Sequence, residues 1–190
     1  MPDQWSRDGR FIVYSERDPK TNWDLWVLPV GQGAAGDRKP IPFLQTAFNE
    51  LKAQLSPDSR WMAYTSDVSG PGQREVYVRP FPAAEGEWRI STAGGEQPRW
   101  RGDGKELFFV GADGKMNAVT VKAAAGPRPS FEAGAPVPLF ETHIGEGSGN
   151  VAFQYDVTAD GKRFVVATNT AAAVTPPLTV VVNWTAGFRK

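Results

Sequence analysis

The apolar residues of this chain occur in short clusters of strand length, with turn-forming residues between them. Stretches such as F-I-V-Y, W-M-A-Y and L-F-F-V are each followed within a few residues by Gly, Pro or Asp. Short runs of aromatic and β-branched residues between turn residues are typical of strands. Because no window keeps the 3.6-residue period of an amphipathic helix over three turns, the pattern predicts an all-β fold.

An internal repeat organises these strands. A frame of one apolar residue, two variable residues, Asp, then Gly or Ser, then Arg or Lys recurs at Asp8, Asp58, Asp103 and Asp160, with spacings of 50, 45 and 57 residues. Asp followed by Gly predicts a tight hairpin, since Asp bonds to downstream amides and Gly adopts a positive φ. Ser59 replaces Gly in one copy, and we expect a milder turn geometry there.

The repeat length suits a four-stranded propeller blade. We therefore predict a partial β-propeller of about four blades of four antiparallel strands, with approximate bounds 1–45, 46–92, 93–141 and 142–190. The first and last blades are expected to be incomplete: the first has only a stub of its first strand at Gln4–Ser6, and the last ends on Leu178–Trp184. Because an arc of blades leaves two blade faces uncovered, we also expect self-association through them.

Several large aromatic residues fall at equivalent or neighbouring positions of the repeat. Side chains of this kind fill the gaps between blades more often than they bind ligands. We predict that role for Trp5, Trp61, Trp100, Phe108, Phe109 and Phe164.

Composition excludes several classes of function. The 21 basic and 21 acidic residues cancel, which gives no electrostatic footprint for nucleic acid. With no Cys and a single His, disulfides are excluded and we expect no metal site of the zinc type. No apolar run approaches the length of a membrane span, so we expect no direct membrane insertion, and the compartment stays open.

The sequence offers no set of catalytic residues, and we expect a protein that is not an enzyme and has no cofactor. The kinase signatures and the nucleophile elbow G-x-S-x-G are absent. His143, Ser148 and Asp156 are close in sequence, but a triad is defined by geometry and not by adjacency. The stretch G-E-G-S-G-N reads better as a loop between the third and fourth blades.

Recognition is expected at the loops of one end of the blades, because loops on a rigid frame carry binding residues. That end is predicted to hold the loops that enter each innermost strand, Gln45–Glu50, Thr92–Gln97 and Thr142–Asn150, together with Glu16–Asn22, Asp67–Gln73 and Asn169–Pro177. The candidate residues for a protein or small ligand are Asn49, Glu50, Glu96, Gln97, His143 and Asn150.

The chain resembles a known family at several of these segments. S-P-D-S-R-W-M-A-Y-T-S, E-V-Y-V-R-P-F-P and Q-P-R-W-R-G-D-G-K-E-L-F-F resemble the TolB-like, WD40-like propeller repeat. The ordered series from D-L-W-V-L-P to the closing V-V-V-N-W-T-A-G-F is most similar to the C-terminal propeller of bacterial membrane-bound Ser/Thr protein kinases.

The resemblance implies a non-catalytic sensor or interaction domain that forms the C-terminal part of a larger bacterial protein, on the periplasmic or extracytoplasmic side. Any kinase domain would lie outside this chain. Two alternatives remain open: a TolB-like periplasmic protein-binding propeller, and the propeller domain of a prolyl-oligopeptidase-like peptidase.

Overall fold

The computed structural model describes residues 1–30, 38–82, 85–126, 128–144 and 152–168, and all regular secondary structure within these ranges is β-strand. In these ranges, antiparallel sheets of four, four, five and two strands follow one another along the chain. Each sheet is one blade, and the predicted all-β partial propeller is confirmed.

The first two blades are meanders in which each strand pairs with the next. Blade 1 consists of β1 (Pro2–Trp5), β2 (Phe11–Asp18), β3 (Asn22–Pro29) and β4 (Ile41–Leu44). Blade 2 consists of β5 (Glu50–Leu55), β6 (Trp61–Ser66), β7 (Glu75–Pro80) and β8 (Trp88–Arg89). The strand β1 pairs with β2 from Pro2 onwards, so it begins earlier than the stub predicted at Gln4–Ser6.

Blade 3 carries one strand more than the sequence predicted. Its strands are β9 (Gly95–Trp100), β10 (Glu106–Gly111), β11 (Lys115–Ala124), β12 (Ser130–Ala133) and β13 (Val137–Glu141). The first half of β11 pairs with β13, and the second half pairs with β12. The short β12 escaped prediction because Phe131 is its one large apolar residue, which leaves no alternating pattern to detect.

Blade 4 contains the two described strands β14 (Tyr155–Val157) and β15 (Phe164–Val166). They pair antiparallel around the fourth Asp-Gly turn. The predicted strand Leu178–Trp184 lies outside the described residues.

The repeated turns share one backbone geometry. In each turn the Asp carboxylate accepts a hydrogen bond from the amide two residues later, for example Arg10 N to Asp8 Oδ1 at 3.1 Å. Gly9 has a φ of 73°, and Ser59 has a φ of 54°. The expectation of a milder geometry at Ser59 is therefore wrong: it adopts the same left-handed conformation, held by the hydrogen bond of Ser56 Oγ to Asp58 Oδ1 at 2.6 Å.

Among the residues described above, three apolar layers fill the spaces between successive blades. Trp61, Trp100 and Phe109 lie in the layer between blades 2 and 3, which β12 covers with Phe131. Phe108 and Phe164 lie in the layer between blades 3 and 4. The exception among the predicted aromatics is Trp5, which is 62% exposed, because no described blade lies against its side of blade 1.

Candidate functional site

A large cavity opens at the loop end of blades 2 and 3. It has a volume of about 720 Å³, and its walls come from residues 71–74, 93–96 and 110–112. These segments lie directly before β7, at the start of β9 and at the end of β10, so three connections from two blades meet at one end. We call this cavity the loop-end cleft.

A group of three charges is the main electrostatic feature of the loop-end cleft. Lys52 Nζ lies 2.8 Å from Glu96 Oε2, and Arg74 NH1 lies 3.1 Å from the same oxygen. The Lys52 side chain is only 1% exposed, whereas that of Arg74 is 41% exposed. Burial lowers the pKa of Lys52, and the negative charge of Glu96 acts in the opposite direction.

A bulge in the innermost strand explains how Lys52 reaches the neighbouring blade. The pairing of β5 with β6 shifts between Leu51 and Gln54, and Lys52 adopts a φ of 55°. Such a bulge bends the strand and redirects a side chain. Lys52 thereby crosses from blade 2 to Glu96 at the start of blade 3.

Gln97 repeats this geometry one blade later. It holds the same repeat position as Lys52 and has a φ of 62°. Its Nε2 donates to Gln154 Oε1 at 3.1 Å, and its own amide donates to Thr65 Oγ1 at 3.1 Å. Gln97 is fully buried, so the structure places this candidate between blades.

Asn49 and Glu50, the two candidates from the second blade, are half-buried and buried, respectively. The main-chain and side-chain nitrogens of Asn49 donate to the Asp67 carboxylate at 2.8 and 2.7 Å, which joins two loops of blade 2. Glu50 is 1% exposed and accepts a hydrogen bond from Thr46 Oγ1 at 2.6 Å. Desolvation raises the pKa of Glu50 to about 7, and the nearby Asp24 carboxylate adds to the rise.

The remaining candidates are scattered. Glu96 lines the loop-end cleft, as a recognition residue would. His143 is exposed, with a φ of 53°, and it is not part of the cleft lining. Asn150 lies outside the described residues. Sequence reasoning missed Arg74 and Lys52, although the alignment of Lys52 with Gln97 in the repeat could have pointed to Lys52.

A second, smaller cavity lies at the opposite end of the same two blades. It has a volume of about 430 Å³ and is lined by the Asp58 and Asp103 turns, with Trp61 and Trp100 among its walls. Within the described ranges, no group of three or more His, Cys, Asp or Glu side chains could hold a metal ion. The same part of the chain contains no helix that is long and apolar enough to cross a bilayer.

Comparison with known proteins supports the β-propeller fold alone. No protein-family model matches the chain, and no curated protein sequence matches it. The crystal structure of TolB from Acinetobacter baumannii is similar at a TM-score of 0.56 and 18% sequence identity, covering 85% of this chain and 36% of TolB. A structure of a proposed 6-phosphogluconolactonase from Bacteroides uniformis aligns at a TM-score of 0.49 and 14% identity, over 87% of this chain and 46% of its own.

The fold is thus that of a TolB-like β-propeller, and the chain spans about a third of the length of TolB. The similarity carries no residue role across, because the identity is low.

Proposed function

We propose that this chain is a non-catalytic β-propeller segment that recognises another protein at the loop-end cleft. The carrying observation is that three loops from two blades converge on one open cavity of about 720 Å³. Loops on a rigid sheet frame are the usual place for recognition residues, and clefts of this size suit a peptide segment or a small ligand.

The side chains of the cleft favour recognition over chemistry. Its charged lining residues, Arg74 and Glu96, form an ion pair, and the buried Lys52 also pairs with Glu96. Such a fixed set of charges can orient a polar partner.

We further propose that the chain belongs to a larger bacterial protein, with a Ser/Thr kinase as the leading context. The support is the ordered series of segments that ends in V-V-V-N-W-T-A-G-F. Sequencing the gene upstream of Met1 tests this context, since a kinase catalytic loop and a membrane span should precede the propeller. Further blades behind a signal peptide would contradict it and favour the TolB-like alternative.

A matched pair of exposed alanines tests the recognition site. Ala93 lines the loop-end cleft, and Ala123 lines the cavity at the opposite end. Wild-type, Ala93→Arg and Ala123→Arg chains would be immobilised, and proteins captured from a bacterial envelope extract quantified by mass spectrometry. We expect a partner that binds wild type and Ala123→Arg but not Ala93→Arg. Capture that is equal for all three chains would contradict recognition at the cleft.

A further inference from the structure

Arg74 lines the loop-end cleft and has guanidinium donors that no described residue engages. Among the described residues, the one hydrogen bond of its guanidinium runs from NH1 to Glu96 Oε2 at 3.1 Å. A guanidinium carries five N–H donors in a fixed fork that matches a carboxylate. With its side chain 41% exposed, Arg74 keeps a donor edge available to an incoming group.

The carboxylate that pairs with Arg74 is also the partner of a second cation. Glu96 Oε2 is shared between Arg74 and Lys52, so two cations face one carboxylate. Asp3 is a further carboxylate that acts on Lys52. Two other charged residues near the cleft are engaged elsewhere. Glu75 is buried and accepts hydrogen bonds from Ser91 Oγ and Gly94 N, while Lys115 pairs with Asp113 at 3.3 Å beside the cleft.

The wall beside Arg74 is built from very small residues. Gly72, Ala93, Gly94, Gly95, Gly111 and Ala112 all line the cleft. Gly94 is required by the packing, since it has a φ of 87° and an added Cβ would lie 2.5 Å from the Ala112 Cβ. Because these six positions carry no bulky side chain, the main chain of an extended ligand can approach the guanidinium there.

We propose that the loop-end cleft binds a carboxylate group of a peptide, with the free edge of Arg74 as its anchor. This inference rests on the proposed function. It specifies that the group of the partner bound in the cleft is an acidic side chain or a free carboxyl terminus. Charge-assisted pairs of this kind are the stronger class of hydrogen bond.

Nuclear magnetic resonance on the full chain tests the proposal with defined probes. Three peptides would be titrated: acetyl-Gly-Ala-Asp-Ala-Gly-amide, its Asn counterpart, and acetyl-Gly-Ala-Ala-Ala-Gly with a free carboxyl terminus. The readout is the amide shifts of Gly72, Gly94, Gly95 and Gly111, which fall in the distinct glycine region of the spectrum. The first and third probes separate a side-chain carboxylate from a terminal one.

We expect these amides to shift with at least one carboxylate probe, and with at least about tenfold weaker affinity for the Asn counterpart. Arg74→Gln should abolish the shifts. Arg60→Gln, at an exposed turn of the opposite end, should keep them. Equal shifts with the Asn peptide, shifts that survive Arg74→Gln, or no shift with any probe would overturn the proposal. In those cases, loss of partner capture in Ala93→Arg would still support the proposed function. Failure of the carboxylate proposal is thereby distinguished from failure of the proposed function.

Discussion

Trp5 and Trp100 occupy the same position of the repeat, three residues before its aspartate, yet Trp5 is 62% exposed and Trp100 is 7% exposed. Trp100 packs in the layer between blades 2 and 3, and its Nε1 donates to the Gln54 carbonyl of blade 2 at 3.1 Å. Trp5 would make the equivalent contact with a blade on the other side of blade 1, and none is described there.

The two tryptophans should therefore differ in their contribution to stability. Trp100→Ala is expected to lower the free energy of unfolding by about 3–5 kcal/mol, because it opens a cavity between blades. Trp5→Ala should change it by no more than about 0.5 kcal/mol in this chain. Urea denaturation followed by circular dichroism measures both values, and equal losses would contradict the assignment of Trp5 to an uncovered face.

We propose that this chain self-associates through uncovered blade faces, one of which carries the exposed Trp5. Sedimentation velocity over a range of concentrations should show association that Trp5→Ser weakens, because a large apolar group leaves the contact. Val68→Ser is the control, since Val68 is 40% exposed but lies in the β6–β7 connection. A chain that stays monomeric at all concentrations, or equal effects of both substitutions, would count against the proposal.

The Lys52–Glu96 pair should respond unequally to removal of its two partners. Glu96→Gln leaves the buried Lys52 charge without its carboxylate and should destabilise the chain by about 3–5 kcal/mol. Lys52→Met leaves Glu96 paired with Arg74 and should cost clearly less. Chemical denaturation at neutral pH distinguishes the two, and a larger loss for Lys52→Met would contradict this account of the interblade link.

Glu50 predicts a pH dependence of stability. Its pKa is raised to about 7 from 4.5, because burial disfavours the charged form. The folded state therefore binds the Glu50 proton more tightly than the unfolded state. The stability that protonation of Glu50 contributes is complete below about pH 4.5 and is lost as the pH rises through 7.

Glu50→Gln should remove the cost of burying the charged carboxylate and raise the free energy of unfolding at pH 8 by roughly 2 kcal/mol relative to wild type. The advantage should shrink as the pH falls towards 4. Thermal melts of both chains across this pH range are the measurement, and an advantage that is constant with pH would show that titration of Glu50 is not its source.

Ser59 offers a stabilising substitution. Its φ of 54° places a side chain in the left-handed region, where Gly9, Gly104 and Gly161 stand in the other three turns. Ser59→Gly should raise the stability by about 1 kcal/mol, since the Cβ penalty disappears. Ser69→Gly is a suitable comparison that should not stabilise, because Ser69 Oγ bonds with Tyr77 Oη at 2.6 Å. A destabilised Ser59→Gly chain would contradict the strain inferred for this turn.

The repeat made the fold predictable, because Asp8, Asp58, Asp103 and Asp160 each mark a hairpin that local chemistry alone can define. It also located the end of the blades where the loops converge. Gln97 shows the limit of this reasoning: its polarity and loop-edge position favoured the surface, but the bulge turns it between two blades. A redirected side chain of this kind depends on the pairing of β9 with β10, which composition does not reveal.

Arg74 could not be singled out from sequence for a related reason. It is one of many basic residues beside a turn, and its role depends on Glu96, which is brought to it by the packing of blade 3 against blade 2. The contact joins residues from different blades, so no local pattern encodes it.

Hydrogen exchange measured by mass spectrometry, with and without a captured partner, tests recognition at the loop-end cleft most directly. We predict slower exchange on binding in residues 71–74, 93–96 and 110–112, with no change in the Asp58 and Asp103 turns at the opposite end. Protection confined to those turns, with the cleft segments unchanged, would contradict the account.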